Sequence, residues 1–405
     1  MDVTSLFIER EDTEQLNNPF VSCAKFNVHG NAIGTLATSR YFILSTSNVN
    51  EVAEVFEQYG YLDVLGVVDP QGKVLGIITR NVLFNRLGKL YGRSICFYKS
   101  TENYIEEPCG IYNCTRNIFS IASEINRFLD QGTIEYFLLL GDNNQFYGIF
   151  RNIDMMIYLT GIESRNFDFA RTVMEHIVQK ESCIRSSLID IVCASQQAKG
   201  VGGDYYNVTE LEQDKWLFSI WDISGKGVAS ALVVSFLSGI FKFHDFKSSH
   251  SCFLNQLNLH FFKTFPKEWF STGIFVCFDG ATKKIKYYDF GHSLCLVYRN
   301  GKAYPLKTRK ASVPLGVSPK IELRANRLQL QTGDFLFFYT DGLVEQTNTK
   351  GEEFPIEHVH RIIFKGLKNN TELIKIKKAI LGAVNIFREQ QPQRDDMTFI
   401  LCRIS

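Results

Sequence analysis

The chain has no Cys-x-x-Cys pair, no long apolar run and no excess of either charge. Its ten cysteines are scattered, so the commonest thiol metal and redox motifs are absent. The longest apolar stretch, Val228 to Phe241, contains serine and glycine and is too short to span a bilayer. It reads instead as a buried helix after a glycine-rich turn. Lys plus Arg number 44 against 43 for Asp plus Glu, a net charge of +1, which argues against nucleic acid or an anionic membrane as the main partner. Met1 to Arg10 is acidic and mixed rather than basic and then apolar. No export signal is therefore expected, and the cysteines are expected to be reduced, in the cytoplasm. What remains is ordinary globular composition: 405 residues, 45% hydrophobic and 21% charged, enough for two or three domains.

Four acidic clusters stand where apolar runs stop. Asp204 closes Gly202-Gly203-Asp204, and Asp222 follows Leu217 to Trp221 and opens Asp222-Ile-Ser-Gly-Lys-Gly227. Asp341 lies in Thr340-Asp341-Gly342 after Phe335 to Phe338, and Asp395-Asp396 precede Met397 to Leu401. Unpaired buried charge is costly, so carboxylates converging from several strand ends need a cation to hold them. Oxygen ligands without histidine or cysteine favour Mg²⁺ or Mn²⁺ over zinc. Taken singly, each of these acids is equally a turn or cap residue.

The order of the clusters resembles the metal-dependent Ser/Thr protein phosphatases, in their bacterial SpoIIE-like branch. The matching elements are Gly202-Gly203-Asp204, Asp222 to Gly227, Phe290-Gly291-His292, Pro314-Leu315-Gly316, Thr340-Asp341-Gly342 and Asp395-Asp396-Met397-Thr398. The resemblance implies an α-β-β-α sandwich and hydrolysis of phosphoserine or phosphothreonine by a water bridging two Mn²⁺ or Mg²⁺ ions. It implies that catalytic Asp222 bridges both metals, joined by the backbone carbonyl of Ile223. Asp204 completes one metal's shell, and Asp341 and Asp395 complete the other's. The family's final motif places the ligand at Asp395, with Asp396 as the alternative. Asn207 departs from the usual Gly-Gly-Asp-x-x-Asp ending and removes one negative charge. The family's usual substrates are small anti-sigma-factor antagonists.

Two further residues have open roles. Lys226 either screens the substrate phosphate or is a solvated turn residue, and His292 either orients water or substrate or is a satisfied structural histidine. Gly225-Lys226-Gly227 is not a Walker loop, since Ile220 stands where its first glycine belongs. No cysteine is followed six residues later by arginine, which argues against a thiol-based mechanism. His358, His360 and His244 sit on charge-mixed helical segments and read as surface residues.

The N-terminal third contains a diverged repeat. Val64 to Thr79 and Tyr136 to Phe150 each read as strand, turn, strand. The helices Val49 to Gln58 and Ile118 to Leu129 precede the hairpins, and Asn81 to Leu90 and Asn152 to Leu159 follow them. This pattern resembles a tandem pair of cystathionine-β-synthase (CBS) domains. Such pairs often bind adenine nucleotides through a hydroxyl and an aspartate of one motif. Here the motif is split: the first repeat keeps Thr79 but has Val82, and the second keeps Asp154 but has Arg151. Thr79 and Asp154 are the candidate regulatory-ligand residues. In the plainer and preferred reading the module is structural or dimerising, with Asp154 as a helix N-terminal acid. In the other, Arg151 pairs with a phosphate or carboxylate.

The expected architecture is α+β and multidomain: an N-terminal segment (1–34), a CBS-pair-like α/β module (35–160), a helical linker (161–184) and the SpoIIE-like sandwich (185–405). In the linker, Phe169, Val173 and Ile177, flanked by Ala170, Met174 and Val178, form an apolar stripe over Asn166 to Lys180. It either packs on its own C-terminal domain or makes a homodimer. The leading function is a regulated phosphoprotein phosphatase. The alternative is a non-catalytic sensor or scaffold that binds a phosphoprotein or nucleotide.

Overall fold

A computed structural model of the chain describes residues 20–22, 28–96, 98–129, 132–178, 181–212, 214–246, 249–309 and 311–405. Most of the expected 1–34 segment, including Met1 to Arg10, lies outside them. The chain divides into two compact units, Met1–Glu163 and Ser164–Ser405.

The first unit runs β1 (Phe20–Ser22), β2 (Tyr41–Leu44), α1 (Val49–Gln58), β3 (Val64–Val68), β4 (Val74–Thr79), α2 (Arg80–Leu87) and α3 (Gly92–Cys96). It continues with β5 (Gly110–Asn113), α4 (Ile118–Leu129), β6 (Tyr136–Leu140), β7 (Phe146–Arg151) and α5 (Asn152–Ile177). The repeat is larger than the sequence pattern. In each copy a leading strand pairs parallel with the first hairpin strand, β2 with β3 and β5 with β6. The hairpins share even their irregularity, a register shift at Val67/Val68 and at Leu139/Leu140, with Gly76 and Gly148 as the partners of Val67 and Leu139. A Cβ on Gly76 would lie 2.6 Å from the Glu106 carbonyl oxygen, and one on Gly148 2.9 Å from that of Ser39. At these points the segment leading into the other repeat crosses the hairpin, bridging Ile77 to Glu106 and Ile149 to Ser39. Val64, Val68 and Ile77 of one hairpin pack on Leu138, Phe146 and Ile149 of the other. Helix α1 begins in a capping box: the Asn48 side chain accepts from Glu51 N at 3.0 Å, and Glu51 accepts from Asn48 N at 3.1 Å.

The helices expected at Asn152 to Leu159 and Asn166 to Lys180 are one helix, α5; Gln179 and Lys180 lie outside the described residues. Gly161 does not break it, since a helical glycine costs only about 1 kcal/mol. The apolar stripe is divided. Ala170, Met174 and Val178 are buried in the core of the second unit, whereas Phe169 is 73% exposed.

The second unit continues with β8 (Glu181–Arg185), β9 (Ile189–Gln196), β10 (Asp204–Glu212), β11 (Lys215–Ile223), α6 (Val228–Phe243), α7 (His250–Thr264), β12 (Ser271–Asp279) and β13 (Lys284–Asp289). Then come β14 (Cys295–Arg299), β15 (Lys302–Pro305), β16 (Asn326–Gln329), β17 (Phe335–Tyr339), α8 (Ile356–Lys368), α9 (Leu373–Arg388) and β18 (Met397–Ile404). One antiparallel sheet has the order β10-β11-β12-β13-β16 and the other β15-β14-β17-β18-β9-β8. Asn300 and Gly301 have φ of 50° and 71°, the pair of positive values that a tight two-residue hairpin needs.

Alternation along the strands builds the layers. On β17, Leu336 and Phe338 turn toward the five-stranded sheet, where Phe338 meets Phe218 with ring centroids 5.4 Å apart. Phe335, Phe337 and Tyr339 take the other face and pack with Val359 and Ile363 of α8 and Ile376 and Ile380 of α9. Across the five-stranded sheet, Trp221 and Phe275 pack on Phe241 of α6 and Phe253 of α7. The result is a helix–sheet–sheet–helix sandwich. Among the described residues no helix is long and apolar enough to cross a membrane.

Candidate functional site

The four acidic clusters lie at strand ends that the sandwich brings together. Asp204 opens β10 directly opposite Asp222 on β11. Asp341 follows β17, and Asp395 and Asp396 precede its antiparallel neighbour β18. Side chains tie the two sheets at this edge. Thr340 Oγ1 donates to Asp204 Oδ2 at 2.7 Å. Asp396 accepts from Ala198 N at 2.9 Å and from Gly203 N at 2.6 Å.

The motif glycines are spaces for these contacts. A Cβ on Gly202 would overlap the Asp396 carboxylate, and one on Gly342 would overlap the Asp396 carbonyl oxygen. Gly225 and Gly227 have φ of 95° and 82° and carry the chain from β11 into α6, a conformation that costs other residues about 1 kcal/mol or more.

The cluster is short of positive charge. Burial, then Asp341, Asp395 and Asp396, push Asp222 up to about 7. Burial, then Asp222 and Asp396, raise Asp204 well above the usual carboxylate range. Burial followed by Asp395 raises Asp341. Glu345, which the sequence reading did not single out, is raised by burial and then by Asp341 and Asp395; a lone glutamate three residues past the Thr-Asp-Gly element carries no sequence signal.

The remaining candidates separate by their partners. Asp396 commits both oxygens to backbone amides and closes the Gly202-Gly203 turn. Asp395 is instead half-buried and pairs with Lys226 Nζ at 2.6 Å, so it is the one whose partner can leave. Lys226 is thus not a merely solvated turn residue, although its side chain is 61% exposed. Ile223 ends β11 with its carbonyl oxygen against the same turn, 2.8 Å from where a Cβ on Gly203 would stand. His292 is buried, and its Nε2 donates to the Tyr339 carbonyl oxygen at 2.9 Å. Burial lowers its pKa to about 4. The geometry therefore carries the structural reading of His292, which braces the end of β17, rather than a substrate contact. Asn207 bonds Thr209 Oγ1 at 3.1 Å and, three residues along β10, projects to the face opposite Asp204. Its missing charge is not taken from the cluster. His360, expected at the surface, is half-buried and bonds the Tyr298 hydroxyl through Nδ1 at 2.8 Å.

Among the described residues, no group of three or more His, Cys, Asp or Glu side chains stands ready-made to hold an ion. The donor set nevertheless fits a hard divalent cation, because it is all oxygen and its acidic neighbours raise Asp204, Asp222 and Asp341. The Lys226 ammonium already supplies one positive charge there, at Asp395.

In the first unit, Thr79 and Asp154 are both engaged internally. Thr79 Oγ1 donates to Glu106 at 2.8 Å and caps α2 by accepting from Val82 N at 3.3 Å. Asp154 accepts from Arg151 N at 2.8 Å and from Thr38 Oγ1 at 3.1 Å. Arg151 is not available to a phosphate, because its guanidinium grips Asp154 through Nε and an Nη at 3.0 and 2.8 Å. A cleft of about 570 Å³ lies between the repeats, lined by Thr79, Asp63, Glu106, Glu107 and Glu135 among others. Four carboxylates oppose a polyphosphate. Calorimetry with AMP or ATP on the full chain is expected to give no binding tighter than micromolar; submicromolar binding contradicts this reading.

The family model of stage II sporulation protein E (SpoIIE) matches residues 212–405, a span that contains Asp222, Asp341 and Asp395 but not Asp204. Phosphoserine phosphatase RsbP of Bacillus subtilis (strain 168) is 22% identical over 244 residues, covering 58% of this chain and 57% of that protein. Phosphoserine phosphatase RsbU of the same organism is 24% identical over 166 residues, covering 40% and 49%. The chain thus spans about half the length of these curated relatives. A solved structure of the PP2C phosphatase domain and a regulatory-domain fragment of SpoIIE from Bacillus subtilis is similar at 22% identity, covering 55% of this chain and 64% of that one, with a TM-score of 0.46. The second unit thus matches the SpoIIE family model over residues 212–405 and carries the six motif elements in order on the observed sandwich.

Proposed function

We propose that the chain is a protein-serine/threonine phosphatase that works with two Mn²⁺ or Mg²⁺ ions. Asp204, Asp222, the Ile223 carbonyl, Asp341 and Asp395 would hold the ions. The observation that supports this most is the gathering of the four strand-end acids at one edge, with Asp222 lifted to about 7 by burial and its acidic neighbours. Bound there, the ions would acidify a water and neutralise phosphoryl oxygens. The protein's own groups do the rest. Asp396 and the glycine turn fix the position of Asp204, and His292 braces the strand that delivers Asp341. Lys226, once released from Asp395, presents an exposed ammonium to a phosphoryl oxygen at the N-terminus of α6.

Two relatives bear the name phosphoserine phosphatase. A phosphoserine or phosphothreonine protein, such as an anti-sigma-factor antagonist, and a cytoplasmic location belong to the same proposal. So do regulation by the first unit as a CBS-type pair and a homodimer through the exposed side of α5.

A second reading is a non-catalytic sensor or scaffold, and the Lys226–Asp395 ion pair favours it, since it neutralises a ligand without any ion. Hydrolysis of p-nitrophenyl phosphate and of a phosphoserine peptide by the full chain separates the two. Turnover with Mn²⁺ that stops on chelation is expected. No turnover of either substrate with Mn²⁺ or Mg²⁺ would leave the scaffold.

A further inference from the structure

We propose that Ser195, Thr398 and Thr340 form a buried chain of hydroxyl residues, linked between Thr398 and Thr340 by the Thr398 backbone N–H, that orients Asp204 toward its cation, making them positioning residues; this rests on the metal reading of the site. Asp204 is 2% exposed and lies on the five-stranded sheet. The three hydroxyl residues belong to the six-stranded sheet or its strand ends and are 4%, 0% and 0% exposed. Ser195 and Thr398 are direct partners in the β9–β18 ladder. That register puts their side chains on one face, with the two oxygens 2.9 Å apart.

Thr340 closes the chain onto the acid. Its Oγ1 accepts from Thr398 N at 2.9 Å and has a single proton to give. The candidates are Asp204 Oδ2 at 2.7 Å and the Thr398 carbonyl at 3.3 Å. The shorter, charge-assisted bond takes it. With one lone pair filled and its proton committed, the Thr340 rotor is fixed, and so is the Asp204 carboxylate, leaving Oδ1 for a metal. The outer end, Ser195, lines a cavity of about 500 Å³ together with Met174 and Val178 of α5. The chain therefore runs from beneath that helix to the acidic edge.

Groups that hold a metal ligand in place typically contribute roughly 10- to 100-fold in metal affinity. Calorimetric titration of the full-length protein with Mn²⁺ tests the proposal without relying on turnover. Thr340→Val is expected to weaken binding by about 10-fold or more, because it removes the donor at nearly constant shape. Thr340→Ser is expected to restore affinity to within a few-fold of wild type. In an Asp204→Asn background, Thr340→Val should cause no further loss. Wild-type affinity in Thr340→Val overturns the proposal, as do losses from Asp204→Asn and Thr340→Val that simply multiply. If Thr340→Val does not fold, Ser195→Ala carries the test: a smaller but measurable loss supports the chain, and an unchanged titration overturns it. A wild type that binds no Mn²⁺ sinks the metal reading, and this proposal with it, whereas unaffected variants of a Mn²⁺-binding wild type sink the hydroxyl chain alone.

Discussion

Asp222→Asn is expected to lower Mn²⁺-dependent hydrolysis of p-nitrophenyl phosphate by about 10³-fold or more, roughly 4 kcal/mol of transition-state stabilisation, while the chain stays folded. The fold survives because the hydrogen bond that anchors this residue uses its backbone: Ser271 Oγ donates to the Asp222 carbonyl oxygen at 2.9 Å. The same substitution has an opposite effect on metal-free stability. The Asp222 pKa of about 7 in the fold lies above the ordinary carboxylate value of 3.8, so the folded state binds this proton more tightly than the unfolded one. The stabilisation that follows is complete below about pH 4 and is lost as pH rises through 7. Asparagine does not ionise. Without metal, the melting temperature of the variant minus that of wild type should therefore rise from pH 4.5 to 7 and level off above. Mn²⁺ should restore wild type at pH 8 far more than the variant. Activity within twofold of wild type, or a melting difference independent of pH, would contradict the role given to Asp222.

Met174→Ala should destabilise the second unit by roughly 2–5 kcal/mol, the usual cost of emptying a buried methionine site. In a unit of this size that lowers the melting temperature by about 2–4 °C per kcal/mol. Met174 is 1% exposed and lies in the same core as Trp221, Phe241 and Phe275. Phe169, on the same helix, should tolerate glutamate within about 0.5 kcal/mol. The pair separates the two uses of the stripe. If the exposed side is a dimer face, light scattering will find Phe169→Glu monomeric at an unchanged melting temperature. An unchanged melting temperature in Met174→Ala would instead place the helix outside the core.

Several elements were plain in the sequence because their signals are local. The helix pattern located α1 and α4 at Val49–Gln58 and Ile118–Leu129, the apolar run after a glycine-rich turn located α6 (Val228–Phe243), and turn chemistry located the two repeat hairpins. The leading strands Tyr41–Leu44 and Gly110–Asn113 were missed. Each is four residues long, too short to display a period, and each becomes a strand only by parallel pairing with a hairpin already formed. The continuity of α5 has no local signal, since the two helical stretches carry different apolar faces, and the burial of Met174 is decided by the core it enters.

The sequence by itself determined the chemistry available to this protein: four acidic clusters at the ends of apolar strands, glycines beside them, and a split motif in the first unit. Only the tertiary structure decided which partner each acid takes. Asp396 reaches Gly203 across 193 positions and Thr340 reaches Asp204 across 136. Contacts of this kind make Asp396 a backbone latch, leave Asp395 to Lys226 and turn His292 inward. Side-chain type and strand ends follow from short-range preferences of the chain. Donor–acceptor pairing follows from cross-strand register and from how two sheets stack, and neither is written in any local stretch of residues.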